Sequence, residues 1–131
     1  MGNSQVTVLV VEDHKAFRDI LVKILGLSRY RVLAAEIGKA GLETAKREKP
    51  DVIILDIMMP GMDGYETCRQ FRATPETAQT PVIILTALTG ENVQANALRA
   101  GANVCLTKPC SIADLETAIQ EQLDRTASQR T

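Results

Sequence analysis

Three short runs of aliphatic, mostly β-branched residues, Val6–Val11 (VTVLVV), Val52–Leu55 (VIIL) and Val82–Leu85 (VIIL), are almost continuously apolar. A strand that is apolar on both faces has to be covered on both, which is the situation of central strands in a parallel sheet flanked by helices. Tyr30–Ala35 and Asn103–Leu106 read as two further strands. Between the strands the apolar period becomes helical. Phe17, Ile20, Leu21, Ile24 and Leu25 fall at i, i+3, i+4, i+7 and i+8 and make one buried stripe. Near the end, Ile112, Leu115, Ile119 and Leu123 share a face, opened by Ser111 as N-cap with Asp114 three residues on. The weaker patterns over Leu42–Lys49, Tyr65–Ala73 and Glu91–Ala100 are read as the remaining helices.

Alternating βα units joined by right-handed crossovers leave few topologies. The expectation is a flavodoxin-like α/β fold: a doubly wound, five-stranded parallel sheet of order 2-1-3-4-5 with helices on both faces. At 131 residues the chain fits a single domain, and 45% apolar with 24% charged residues is ordinary globular composition. The domain is expected over residues 1–125. Residues 126–131 read as a polar C-terminal tail, either a free end or the start of a linker to an output domain.

Composition also narrows function. A formal charge of −1 supplies no positive field for nucleic acid, and 3% aromatic residues without Trp give no stacking platform for single strands. No apolar run reaches membrane-spanning length, and Met1–Gln5 is short and polar where a signal peptide needs basic and then apolar residues. A cytoplasmic protein with no direct nucleic-acid or membrane partner is expected. Cys68, Cys105 and Cys110 match neither a C-x-x-C pair nor a zinc spacing with the lone His14, so they read as reduced thiols. Redox sensing through Cys105 and Cys110 is the sharper alternative.

Ligands of open α/β sheets bind beyond the carboxyl ends of the strands, where the strand order reverses. Here those ends carry Glu12 and Asp13 after strand 1, Asp56 after strand 3, Thr86 at strand 4, and Lys108 followed by Pro109 after strand 5. Strands 1 and 3 are neighbours in this order, so three carboxylates should converge, and like charges that close resist joint ionisation. A hard divalent cation, Mg²⁺ or Mn²⁺, with oxygen ligands removes the conflict. Asp56 is then a candidate carboxylate nucleophile toward phosphorus, with Lys108 and the Thr86 hydroxyl holding phosphoryl oxygens. Singly, each residue has a plainer reading: Asp13 as a helix N-cap, Thr86 as strand-end filler, Lys108 as a solvated charge. Asp63 and Gly64 stay in that plainer class, as loop and helix-start chemistry after Pro60 and Gly61.

From about Val6 to Leu123 the chain resembles the receiver domain of two-component response regulators, in the chemotaxis-type single-domain form. The motifs are V-L-V-V-E-D (8–13), D-I-M-M-P-G-M-D-G (56–64), P-V-I-I-L-T-A (81–87), G-A (101–102) and L-T-K-P (106–109). The resemblance implies Asp56 as phosphoacceptor, Asp13 as a direct metal ligand, Glu12 as a ligand through water, and the main-chain carbonyl of Met58 in the metal shell. It implies Thr86 and Lys108 against the phosphoryl oxygens and a cis Lys108–Pro109 bond. The partners it implies are a sensor histidine kinase or phosphotransfer protein as donor, and a downstream protein or output domain on the face formed by helix 4, strand 5 and helix 5.

Two positions depart from the family pattern. Cys105 stands where many receivers carry Tyr or Phe as a switch residue, and Cys110 where Phe often follows Lys-Pro. Met58 and Leu88, two residues beyond Asp56 and Thr86, are both apolar, which predicts slow self-dephosphorylation because neither orients a water. The expected protein is a phosphoacceptor switch that assists its own phosphorylation and dephosphorylation, rather than an enzyme. The competing readings are a phosphorylation-independent receiver-like interaction module and a hydrolase with a nucleophilic Asp. Against the hydrolase, Met58 interrupts a D-x-D signature and the chain has no room for a substrate cap.

Overall fold

The computed structural model describes residues 5–130. Residues 1–4, at the start of the expected domain, and Thr131, at the end of the expected tail, lie outside the described residues. The elements alternate: β1 (Thr7–Val11), α1 (Lys15–Leu27), β2 (Arg31–Ala35), α2 (Gly38–Glu48), β3 (Val52–Leu55), α3 (Gly64–Ala73), β4 (Val82–Thr86), α4 (Glu91–Arg99), β5 (Val104–Thr107) and α5 (Ile112–Arg130). The strands form one parallel sheet of order β2-β1-β3-β4-β5, the order expected from the sequence.

Strand periodicity divides the core in two. Leu9, Val11, Ile53, Leu55, Val82 and Ile84 point to one face, where Ala45 of α2, Cys68 and Phe71 of α3 and Ala97 of α4 cover them. Val8, Val10, Val52, Ile54, Ile83 and Leu85 point to the other, under Leu21 and Leu25 of α1 and Leu115 and Ile119 of α5. Every residue of β1, β3 and β4 is buried, which is why their sequences lack a polar face. Phe71, fully buried, is the largest side chain of the first cluster.

Register aligns the strand ends. Val11 pairs with Leu55, the amide of Asp56 donates to Val11 O at 3.1 Å, and that of Glu12 donates to Ala35 O at 3.0 Å. The residues following β1 and β3 are thereby held side by side. On the other flank Thr86 pairs with Thr107, and the amide of Lys108 donates to Thr86 O at 2.7 Å.

Three local features add to the sequence reading. Helix α2 begins at Gly38, four residues before its expected start at Leu42, without a side-chain cap at Ile37. Its first turn is small because it has to be: Cβ atoms added at Gly38 and Gly41 would run into Thr67 and Val11, so close packing replaces the apolar period that marks other helices. The α1 cap is His14, whose Nδ1 accepts from the amide of Phe17 at 3.2 Å; this leaves the Asp13 carboxylate uncommitted to capping. Finally, α5 continues through 126–130, the stretch that reads as a polar tail, with the Thr126 hydroxyl donating to Gln122 O at 3.0 Å. Its start is as expected: Ser111 Oγ accepts from the amide of Asp114 at 3.0 Å. Among the described residues no helix is long and apolar enough to cross a membrane.

Candidate functional site at the carboxyl edge of the sheet

Glu12, Asp13 and Asp56 converge, with one carboxylate oxygen from each lying within 4.8 Å of the others. Glu12 is 3% exposed and Asp56 6%, while Asp13 sits at the rim, more open to solvent. Glu12 Oε2 accepts from the amide of His14 at 3.1 Å. Arg18 donates to the carbonyl of Glu12 at 2.9 Å and of Asp13 at 3.4 Å, which pins the turn that carries both acids.

Lys108 reaches into this cluster from the far side of the cleft. Its ammonium donates to Glu12 Oε1 at 2.9 Å and lies 3.7 Å from Asp56 Oδ2. The bond from Lys108 to Pro109 is cis. The same ammonium stands over the ring of Phe17, 4.1 Å from its centroid. Thr86 is fully buried at the end of β4, and its hydroxyl oxygen accepts from the amide of Leu88 at 3.2 Å.

The electrostatics are those of a site short of positive charge. Burial pushes the Glu12 carboxyl above its ordinary value; the Lys108 and His14 donors pull it back, and Asp56 pushes it up again. Asp56 Oδ1 is buried without a hydrogen-bond partner, an arrangement that costs free energy unless a further group occupies the space. Oxygen donors from three carboxylates, one of which carries an orphaned oxygen, fit a small divalent cation such as Mg²⁺.

Met58 lies in the loop between β3 and α3 and is 55% exposed. It lines an open cleft of about 510 Å³ together with Asp13, Ile57, Met59, Tyr65 and Leu88. Asp63 is the N-cap of α3, accepting from the amide of Glu66 at 2.9 Å, in keeping with its plainer reading. Gly64 does more than start a helix. A Cβ there would overlap the carbonyl oxygen of Asp56 and lie 2.5 Å from Ile57 Cα, so only glycine lets α3 close against the backbone that carries Asp56.

Cys105 is buried in β5, and its carbonyl accepts from Gln94 of α4 at 3.0 Å, a bond that ties helix to strand. The cysteines are free, and burial raises each of the three thiols above its ordinary value. This disfavours the thiolate that redox sensing needs. Gly64 and Phe17 are the site residues that sequence reasoning missed. Gly64 belongs to the D-G pair that closes the 56–64 motif, and Phe17 is one of the five residues of the α1 stripe.

A doubly wound sheet with convergent acids, a threonine and a lysine at the ends of adjacent strands defines the class of receiver-like α/β domains. The chain belongs to the response regulator receiver domain family of two-component signalling, whose model matches residues 8–120. It is similar to the response regulator PleD of Caulobacter vibrioides, 42% identical over 102 residues, which are 78% of this chain and 22% of that protein. It is also similar to the response regulator MprA of Mycobacterium leprae, 38% identical over 119 residues, 91% of this chain and 51% of that protein. The chain thus spans about half or less of the length of these curated relatives. Among solved structures, the chemotaxis protein CheY4 of Vibrio cholerae superposes with a TM-score of 0.87 at 30% identity, covering 92% of this chain and 100% of that one. The receiver domain of the sensor histidine kinase PA1611 from Pseudomonas aeruginosa gives 0.86 at 30% identity, covering 92% and 99%; in it a magnesium ion is coordinated in the active-site cleft.

Proposed function

We propose that this domain is a phosphoacceptor switch in which Asp56 takes a phosphoryl group from a phosphohistidine donor. The observation that carries the reading is the pairing of an orphaned, buried Asp56 oxygen with a lysine ammonium 3.7 Å from the other oxygen of the same carboxylate. A carboxylate oxygen of Asp56 attacks phosphorus in line. A P–O bond forms, the P–N bond breaks, and its electron pair returns to the donor imidazole. Lys108 and the Thr86 hydroxyl hold the phosphoryl oxygens as charge spreads over them.

Asp13 and Asp56 directly, Glu12 through water, and the main-chain carbonyl of Met58 would hold Mg²⁺, or Mn²⁺ in its place. The cation supplies positive charge that lets the carboxylates stay ionised beside an incoming anion. The donor is a sensor histidine kinase or a phosphotransfer protein. The output is a shift between two conformations, read by a downstream protein or output domain at the face of α4, β5 and α5. Cys105 and Pro109 belong to that switch region. The reading carries with it a cytoplasmic location, where phosphohistidine donors and reduced thiols occur together.

Incubation with Mg²⁺ and acetyl phosphate, followed by intact mass measurement, tests the reading. One phosphoryl group per chain is expected, and none on Asp56→Asn. Steady turnover of unrelated phosphoesters would mark a hydrolase instead, and no adduct would mark a phosphorylation-independent interaction module.

A further inference from the structure

We infer that Phe17 is a positioning residue for Lys108, its ring holding the ammonium against the carboxylates before a phosphoryl donor arrives. The inference rests on the phosphoacceptor reading and adds to it a residue outside the acids, threonine and lysine of that site.

A lysine ammonium is a strongly hydrated point charge on a flexible stem, and left to itself it spends its time in water. Here the Lys108 side chain is only 20% exposed. Three contacts restrain its ammonium: Glu12 at 2.9 Å, Asp56 at 3.7 Å, and the face of Phe17 at 4.1 Å from the centroid. An aromatic face attracts a cation through the ring quadrupole, and the attraction grows as water is removed.

Of these contacts only the ring is chemically constant. The Asp56 carboxylate becomes an acyl phosphate in the proposed reaction, and the charge of Glu12 is shared with a bound cation. The ring carries no titratable group and takes no part in the transfer, so it keeps the ammonium in place while the charges around it change.

The fold anchors the ring itself. Phe17 is the third residue of α1, and its amide is fixed by the His14 cap at 3.2 Å. Its side chain packs against the buried cluster of Leu21, Leu25, Leu115 and Ile119 under α1 and α5, the same cluster on which Leu106 and Cys110 pack. Cys110 immediately follows the Lys108–Pro109 pair, so one core cluster seats both the ring and the segment that carries the lysine.

The test compares wild type with Phe17→Tyr, which keeps a ring, and Phe17→Met, which keeps apolar bulk without one. Unfolding midpoints confirm that all three fold. In the metal-free protein, NMR should show an upfield ring-current shift of the Lys108 ε-methylene protons in wild type and Phe17→Tyr, lost in Phe17→Met. With saturating Mg²⁺ and acetyl phosphate, phosphorylation of Asp56 should slow roughly fivefold in Phe17→Met and stay near the wild-type rate in Phe17→Tyr. Equal rates in wild type and Phe17→Met, or a Phe17→Tyr variant as slow as Phe17→Met, would overturn the inference, as would absence of the shift in wild type. If wild type shows the shift yet gains no phosphoryl group, the phosphoacceptor reading has failed and the positioning role in transfer falls with it.

Discussion

The ammonium of Lys108 donates to Glu12 across 96 positions of sequence, at 2.9 Å, and stands farther, at 3.7 Å, from Asp56. The lysine is thus closer to a supporting carboxylate than to the candidate nucleophile, and one positive charge is shared between two buried negative ones.

Removing that charge should therefore cost stability. Lys108→Ala leaves Glu12 buried without its charged donor, and a loss of roughly 1–3 kcal/mol is expected in metal-free protein at neutral pH. Asp56→Asn, which removes one of the crowded like charges, should stabilise the metal-free protein. Urea denaturation with and without Mg²⁺ checks both, and the ion should narrow the differences. A Lys108→Ala variant as stable as wild type would contradict this account.

The raised Glu12 carboxyl gives a pH dependence with a definite sign. Burial lifts its folded value above the ordinary 4.5, so the folded state holds the proton more tightly than the unfolded chain. Its contribution is fully present below the ordinary value and is lost as pH rises through the raised one. Glu12→Gln cannot titrate, so metal-free stability should lose this decline in the window just above the ordinary carboxylate range. Denaturation midpoints across mildly acidic pH, wild type against Glu12→Gln, measure it; parallel curves would refute it.

Gly64→Ala should be costly despite its small size. The added methyl meets main-chain atoms of Asp56 and Ile57, which cannot rotate away as a flexible side chain would. A loss on the order of 1–3 kcal/mol is expected, together with slower phosphorylation because the segment bearing Asp56 must shift. Thermal unfolding and acetyl phosphate kinetics on the same sample report the two effects.

Met58 and Leu88 share the wall of the open cleft beside Asp13, and neither hydrogen-bonds a water through its side chain. Replacing them by Met58→Asn with Leu88→Glu should shorten the lifetime of the acyl phosphate by giving the attacking water polar partners. Decay of the phosphorylated mass peak after removal of the donor gives the half-life. An unchanged value would mean that water access is governed elsewhere.

Much of this architecture was legible in the chain. The almost continuously apolar runs of β1, β3 and β4 demanded cover on both faces, and the α1 stripe and the Ser111 cap located their helices. Helix α2 was less legible because its opening residues are chosen for smallness, a requirement set by Thr67 and Val11, which come from other elements. The cap of α1 was not legible either: His14 takes it, because an imidazole Nδ1 can accept from the amide three residues on, and the plainer capping reading of Asp13 falls away.

The order of residues along the chain by itself determined which side chains stand at the carboxyl ends of the strands, since the strand period and the βα alternation leave Glu12, Asp13, Asp56, Thr86 and Lys108 no other place. Only the folded structure decided how they meet: that Lys108 favours Glu12 over Asp56, that one Asp56 oxygen is left alone, that Phe17 lies under the ammonium, and that α3 presses on Asp56 through Gly64. The reason is physical. Strand position follows from local pattern, whereas a contact a few ångströms long between residues up to 96 positions apart depends on how helices pack across the sheet, and no local period encodes that distance.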